Sequence, residues 1–356
     1  MTRKSYLTPP LLFFAVVVGG YYLVAALAAG RAVFIPLVFS GFLALLLHPV
    51  AAFFERKNFP RVLAAIASIM LGVLILGLVA GVFVWQFNSF IADLPFLYDQ
   101  LAVRVAGVQQ FVEKMFGIEP AEQVSWISAR LLAYFPVDGA VFGALRTTTN
   151  IVFLVALIPV FALFMLMYRG QLRDALMSFF SRRGAKEVND AIRAAQNVIQ
   201  RYFFGLGIVM YIVAVLNTVG LFVLGLEHAL FFGTLAALLA VIPYVGITIG
   251  AALPTLFAIL TRDMLWYPFA VIGVFVLVQW IEDNIVTPNI VGHQVLLNPL
   301  FAMLAVFIGG HMWGIWGMMV FLPIFAVIKI FCDHVESLKP IGAAMGLKTK
   351  TREVSL

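Results

Sequence analysis

Glu282 and Asp283 are adjacent carboxylates in a region that otherwise carries no charge. The run reads Gln279-Trp280-Ile281-Glu282-Asp283-Asn284-Ile285-Val286-Thr287-Pro288, and Gly292-His293 and Asn298-Pro299 follow it. Gln279, Glu282 and Asp283 fall at i, i+3 and i+4, so on a helix they share one face. Asn284 falls off that face unless the helix breaks ahead of Pro288. Carboxylates with amides beside them hold cations or protons, and a carboxylate in a low-dielectric place takes up a proton more readily than one in water. Two placements stay open. If residues 264–281 are a whole span, the pair marks its outer end. If the helix continues, the pair lies at depth, where a charge costs about 2.5–3.5 kcal/mol on insertion scales and is kept for a function. The short length of 264–281 favours the second placement. Gln279, Glu282, Asp283, Asn284 and Asn298 are therefore the candidate substrate- or ion-binding residues.

Other chemistries find little support. The five histidines (His48, His228, His293, His311 and His334) are scattered. No HExxH metal motif, GxSxG elbow or P-loop occurs. No catalytic residue, metal site or cofactor is expected. The single cysteine, Cys332, excludes an intrachain disulfide and a cysteine-based metal cluster. The net charge of +6 reflects basic loops at a membrane rather than a nucleic-acid partner.

The elements that position these residues must be membrane helices. Of 356 residues, 63% are apolar and 11% charged, against roughly 25% charged in soluble chains. Residues 5–30, 32–54, 62–92, 147–168, 202–226, 229–261, 264–281 and 284–328 contain no Asp, Glu, Lys or Arg. A helix needs roughly 20 apolar residues to cross the hydrocarbon core. One such segment fits a soluble core, but this many do not. An all-α polytopic protein of about eight membrane segments follows, with membrane lipids as its surroundings. Arg3 and Lys4 precede the first apolar run, and Ala26-Leu27-Ala28 resembles a cleavage site. The run exceeds a typical signal core and begins a series of spans, so it is read as a retained helix.

Basic loops stay cytoplasmic. Arg3 and Lys4 place the N-terminus inside, and Arg31 alone suits an outer connection. Glu55, Arg56, Lys57 and Arg61 suit the inside. Residues 93–146 hold four basic and six acidic residues and suit the outside, whereas 169–201 hold seven basic and three acidic and suit the inside. The tail, with Lys329, Lys339, Lys348, Lys350 and Arg352, is also inside. The chain divides into a transmembrane scaffold (1–92), extracytoplasmic amphipathic helices (93–146), a fourth span with a basic cytoplasmic segment (147–201), a transport region (202–330) and a cytoplasmic tail (331–356).

Two amphipathic regions accompany the spans. In 93–146, Leu97, Leu101, Val105, Val108, Val112 and Met115 recur at helical spacing, and Val124, Ile127, Leu131 and Phe135 continue after Pro120. In 184–202, Val188, Ile192, Ala195, Ile199 and Tyr202 mark an interfacial helix leading into the fifth span. His48 with Pro49 ends the second span, and Pro36 kinks it.

The C-terminal half is broken by glycine and proline. Residues 229–261 contain Pro243, Gly246, Gly250 and Pro254, and proline removes a backbone donor. The segment is either a hairpin entering and leaving by one side or a single broken span. Residues 296–328 contain Gly310, Gly314, Gly317 and Pro323. Gly246/Gly250 and Gly310/Gly314 both fit GxxxG, a close-packing signal. Two such segments around Glu282, with Pro288 and Gly292 as further breaks, are the pattern of discontinuous helices at a midplane site.

These residues also carry a family resemblance. Tyr202-x-x-Gly205, Leu224-Gly225-Leu226, Ile242-Pro243-Tyr244-Val245-Gly246, Gly250, Pro254, Gln279, Glu282, Asn284, Pro288, Gly292, Pro299 and Trp313-Gly314-x-x-Gly317 resemble the autoinducer-2 exporter (AI-2E) family of bacterial inner-membrane proteins. The resemblance covers the chain in architecture and is specific from about residue 200 onward. It implies a homopentamer in the bacterial inner membrane and either export of autoinducer-2 or sodium(lithium)/proton antiport. His293-Gln294 stands where family members often carry a nearby Lys, and Thr255 follows Pro254 where they have Ala.

Three functions compete. A secondary transporter for a small molecule or ion would bind its cargo or coupling ion at Glu282 or Asp283, with Gln279, Asn284 and Asn298 as hydrogen-bonding partners. An oligomeric channel would line a pore with polar rings. A membrane scaffold would use 93–146 as its contact surface. The transporter is the expectation carried forward.

Overall fold

The computed structural model describes residues 9–116, 155–178, 182–242, 245–264, 266–290 and 297–346. Pro243, Gly292 and the expected second amphipathic helix after Pro120 lie outside them. Among the described residues the regular elements are helices: α1 (Pro9–Ala29), α2 (Arg31–Arg56), α3 (Arg61–Ala92), α4 (Leu94–Phe116), α5 (Val155–Met167), α6 (Arg169–Ser178), α7 (Arg182–Val223), α8 (Ala229–Leu239), α9 (Val245–Thr261), α10 (Trp266–Ile290), α11 (Pro299–Trp313), α12 (Ile315–His334) and α13 (Lys339–Met345). The chain is an all-α polytopic membrane protein. Helices α2, α3, α7, α10 and α12 are long and apolar enough to cross a membrane, and α5 with α6, bent by 70° between them, makes a sixth if counted as one span. Apolar side chains stand outward along these helices, as with Phe222 at 75% exposure and Phe269 at 73%. Such a surface suits lipid rather than water.

The described helices fall into two compact units. One comprises residues 1–68, 157–200 and 294–356, and the other 69–156 and 201–293; α3 and α7 each run through both.

In the first unit, α11 and α12 form a hairpin whose turn is Gly314, at φ +61°. A side chain would be strained in that left-handed conformation. A Cβ on Gly309 would lie 2.4 Å from the Gly317 carbonyl oxygen, and one on Gly317 would lie 1.9 Å from that of Gly309. The two backbones therefore touch, as small residues allow between membrane helices. The GxxxG reading of Gly310 and Gly314 needs correction here. Gly314 makes the turn, Gly310 packs on Met318, and the closest approach belongs to Gly309 and Gly317. Pro323 was expected to break a helix and does not: α12 continues through it, with the ring buried against protein.

The same unit holds both chain ends of the described region. Trp313 donates its indole N–H to the Leu27 carbonyl at 3.0 Å, tying the hairpin turn to α1. At the other end of the hairpin, α13 docks beside Asp333, which takes an ion pair from the buried Lys329. The expected apolar face on 184–202 is present, with Val188, Ala195 and Ile199 buried. It belongs to the continuous 42-residue helix α7 rather than to a separate interfacial helix.

In the second unit, α8 and α9 form another hairpin. A Cβ on Gly246 would lie 2.2 Å from the Leu239 carbonyl oxygen, and one on Gly250 would lie 3.0 Å from the Ala236 Cβ. Residue number rises along one helix as it falls along the other, so they run antiparallel. At 11 residues, α8 is about 16 Å long, short for a crossing. Residues 229–261 are thus two short antiparallel helices rather than one straight helix. Pro254 is buried inside α9 and does not break it. The adjacent Thr255 hydroxyl donates to the Ala251 carbonyl of its own helix at 2.7 Å.

Phe90, Phe231, Phe232 and Phe257 pack beside the hairpin, with Phe90 and Phe231 stacked at 4.9 Å. Helix α4 adds Leu97 to that cluster, while Leu101, Val105 and Met115 on its apolar face are exposed. His228 pairs with Asp93 at 2.7 Å and Arg104 with Asp263 at 2.6 Å, fixing α4 to the connections around α8 and α9.

Candidate functional site

Helix α10 begins with an uninterrupted apolar run and carries the carboxylate pair late in its length. Its last turns are unusual: Glu282–Val286 form a π-helical turn before the helix resumes at Thr287. Pro288 gives a local reason. It has no N–H for the Asn284 carbonyl, and its ring would crowd that carbonyl in a regular α-helix. The wider π turn relieves the crowding, and such turns are frequent at functional sites. The helix neither stops at Ile281 nor breaks at Pro288. Glu282 lies about eight residues, or ~12 Å, before Ile290, the last described residue of α10.

The π turn sorts the polar residues. Gln279 donates its amide N–H to Asp283 at 2.9 Å, which leaves its Oε1 as an acceptor. Asp283 is exposed and Glu282 half-buried. Asn284 is exposed and turns back on its own helix, donating to the Trp280 carbonyl at 2.8 Å. Asn298 belongs to the other unit. There it caps α11, accepting from the Phe301 N–H at 3.0 Å, and donates to the Ala344 carbonyl at 2.8 Å. Its amide is thus engaged on both sides by backbone. The structure brings Gln279, Glu282 and Asp283 together within one unit.

Glu282 and Gln279 open into a small cavity of about 20 Å³, lined also by Asn217, Gly246, Ala236, Ala240, Val213, Phe275 and Val278. That volume holds about one water or one bare small ion. Three elements build it. Helix α10 supplies Gln279 and Glu282, the α8–α9 hairpin supplies small residues and Gly246, and α7 supplies Asn217. The side chain of Asn217 is 2% exposed, and its Oδ1 has no hydrogen-bond partner. Beside it, the Thr218 hydroxyl is likewise buried and unpartnered. Its backbone lies against Gly233, where a Cβ would come within 2.7 Å of the Thr218 nitrogen. A buried unpaired acceptor costs about 1–3 kcal/mol, so Asn217 is held in the cavity wall at the expense of stability. The oxygens of Glu282, Gln279 and Asn217 make a hard donor set suited to a proton or a small hard cation.

Asn217 is the residue that reading the sequence missed. A signal existed: Asn217-Thr218 is the polar break in the charge-free stretch 202–226. Nothing in the local sequence, however, says that it faces Glu282, about 65 positions further along.

The chain matches the family described as "AI-2E family transporter" over residues 11–337. It belongs to that family. Among its relatives, "Putative transport protein YrrI" of Bacillus subtilis is 28% identical over 319 residues, covering 85% of this chain and 87% of the relative. "Putative transport protein YhhT" of Escherichia coli is 23% identical, covering 91% of each chain. "AI-2 transport protein TqsA" of Escherichia coli is 23% identical over 88% of this chain and 89% of the relative. The family membership agrees with the resemblance carried by the residues from Tyr202 to Gly317, and it supports a role in membrane transport.

Proposed function

We propose that this AI-2E family member is a secondary transporter of the bacterial inner membrane whose coupling site is Glu282, with Gln279 and Asn217 as supporting ligands. The observation that carries this reading is the cavity itself. A half-buried carboxylate, an amide and an unpaired buried carbonyl oxygen converge on a space of about 20 Å³. That space accepts a proton, a water or a small cation, and it is too small for an organic signal molecule. It therefore supports a site for the coupling ion, consistent with sodium(lithium)/proton antiport or with proton-driven export of an autoinducer-2-like cargo bound elsewhere. Asp283 holds Gln279 in register rather than ligating the ion. Asn284 and Asn298 contribute through backbone capping.

The test is gradient-driven flux in proteoliposomes, measured with sodium, with lithium and with autoinducer-2. Glu282→Gln is expected to abolish coupled flux while leaving the folded protein and its assembly unchanged. Undiminished coupled flux in that variant sinks the assignment. Flux that neither saturates nor follows the proton gradient would assign the protein to the channel class instead.

A further inference from the structure

A cavity in the first unit is lined by positive charge. It measures about 590 Å³ and is lined by Arg61, Arg169, Arg173 and Arg193, together with His48, Asn189 and Gln196 and an apolar wall that includes Leu45, Met165 and Ile192. The arginines come from separate elements. Arg61 opens α3, Arg169 and Arg173 lie on α6, and Arg193 lies on α7. The 70° bend between α5 and α6 turns α6 into the cavity wall.

Two of the four guanidinium groups are held by partners. Arg169 pairs with Glu55 at 2.5 Å, and Arg173 donates to the Asn189 side chain at 2.7 Å. Among the described residues Arg61 and Arg193 have no ion-pair partner. The carboxylates of Asp174, Glu187 and Asp190 sit on the same helices but do not line the cavity. After Glu55 is set against Arg169, the lining retains three positive charges. Like charges gathered around one space repel each other unless an anion lies between them. Arginine presents paired N–H groups that match phosphate oxygens, often in bidentate fashion.

We propose that this cavity is a binding site for a phosphate-bearing anion, with Arg61 and Arg193 as its free ligands and Arg169 and Arg173 as its fixed wall. The volume is that of a small-molecule or headgroup site. The apolar wall accepts the carbon part of the ligand. The cavity joins the connection at 55–61 to the segment 169–201, both assigned by charge to the cytoplasmic side. The phosphate can thus come from an anionic phospholipid of the inner leaflet or from a free phosphorylated small molecule. The site is independent of the Glu282 reading.

Binding to the full-length purified protein tests it, with no transport readout. Native mass spectrometry would count retained phosphatidylglycerol against phosphatidylcholine. Calorimetry would titrate inorganic phosphate and glycerol phosphate into the delipidated protein. Arg61→Gln with Arg193→Gln is expected to weaken binding about tenfold or more, since each removes a charge-assisted contact. Glu55→Gln frees Arg169 and is expected to tighten binding, so a folding defect in the first variant does not hide the answer. Selective retention of phosphatidylglycerol without binding of the soluble probes assigns the site to lipid, and binding of the soluble probes assigns it to a free anion. Binding of neither, or binding indifferent to both substitutions, overturns the proposal.

Discussion

At the scale of single residues, Asn217 separates function from stability most cleanly. Its buried acceptor lacks a partner, so replacing it with an apolar residue of similar size removes a penalty. Asn217→Leu is expected to leave stability unchanged or raise it by about 1 kcal/mol, while coupled flux falls. Thermal unfolding in detergent alongside flux in proteoliposomes reads both effects. A variant that loses stability and keeps full flux would make Asn217 a packing residue. The sequence brings Gln279, Glu282 and Asp283 to one face correctly, because i, i+3 and i+4 spacing is a local property of any helix. It does not show that Asn284 turns back on the Trp280 carbonyl or that the Asn298 amide is taken up by the cap of α11 and by α13.

At the scale of elements, proline acts differently in each helix. Pro254 and Pro323 are absorbed without a break, whereas Pro288 coincides with the π turn that holds Glu282. Pro288→Ala restores the missing donor and lets the turn close as an α-helix. It is expected to stabilise the protein by about 1–3 kcal/mol and to reduce flux severalfold by rotating Glu282 away from Asn217. Unaltered flux in a stabilised variant would show that the π turn is incidental. The α11–α12 hairpin offers a structural counterpart. Gly317→Ala places a methyl group against the Gly309 carbonyl and is expected to destabilise by about 1–3 kcal/mol. Gly77→Ala, with nothing within 4 Å, is expected to be near neutral. Equal melting points for the two variants would remove the backbone contact from the account of the hairpin.

At the scale of the whole molecule, the charge pattern makes a topological prediction. Glu55 pairs with Arg169 across two segments that the basic-loop rule puts on one side, and Asp93, at the start of the segment assigned to the other side, pairs with His228. In a Cys332→Ser background, Glu113→Cys is expected to react with an impermeant maleimide in intact cells, and Lys186→Cys to react only after permeabilisation. The reverse pattern would invert the orientation and place both termini outside. The homopentamer that the family resemblance implies is checked by native mass in lipid nanodiscs, where a monomer would count against it.

The sequence by itself determined that this is a helical membrane protein with a polar, glycine- and proline-broken C-terminal half. Hydropathy runs, charge asymmetry and helical spacing are properties of contiguous residues, and they are readable without a fold. The family followed from the same half, through motifs spread from Tyr202 to Gly317. Tertiary structure decided the rest. Only packing shows that 229–261 folds into a hairpin, that Gly309 rather than Gly314 meets the partner backbone, that Asn217 faces Glu282, and that arginines from α3, α6 and α7 surround one cavity. Each of these is a contact between segments distant in the chain, set by which surfaces fit closely enough to exclude lipid, and local spacing carries no record of that fit.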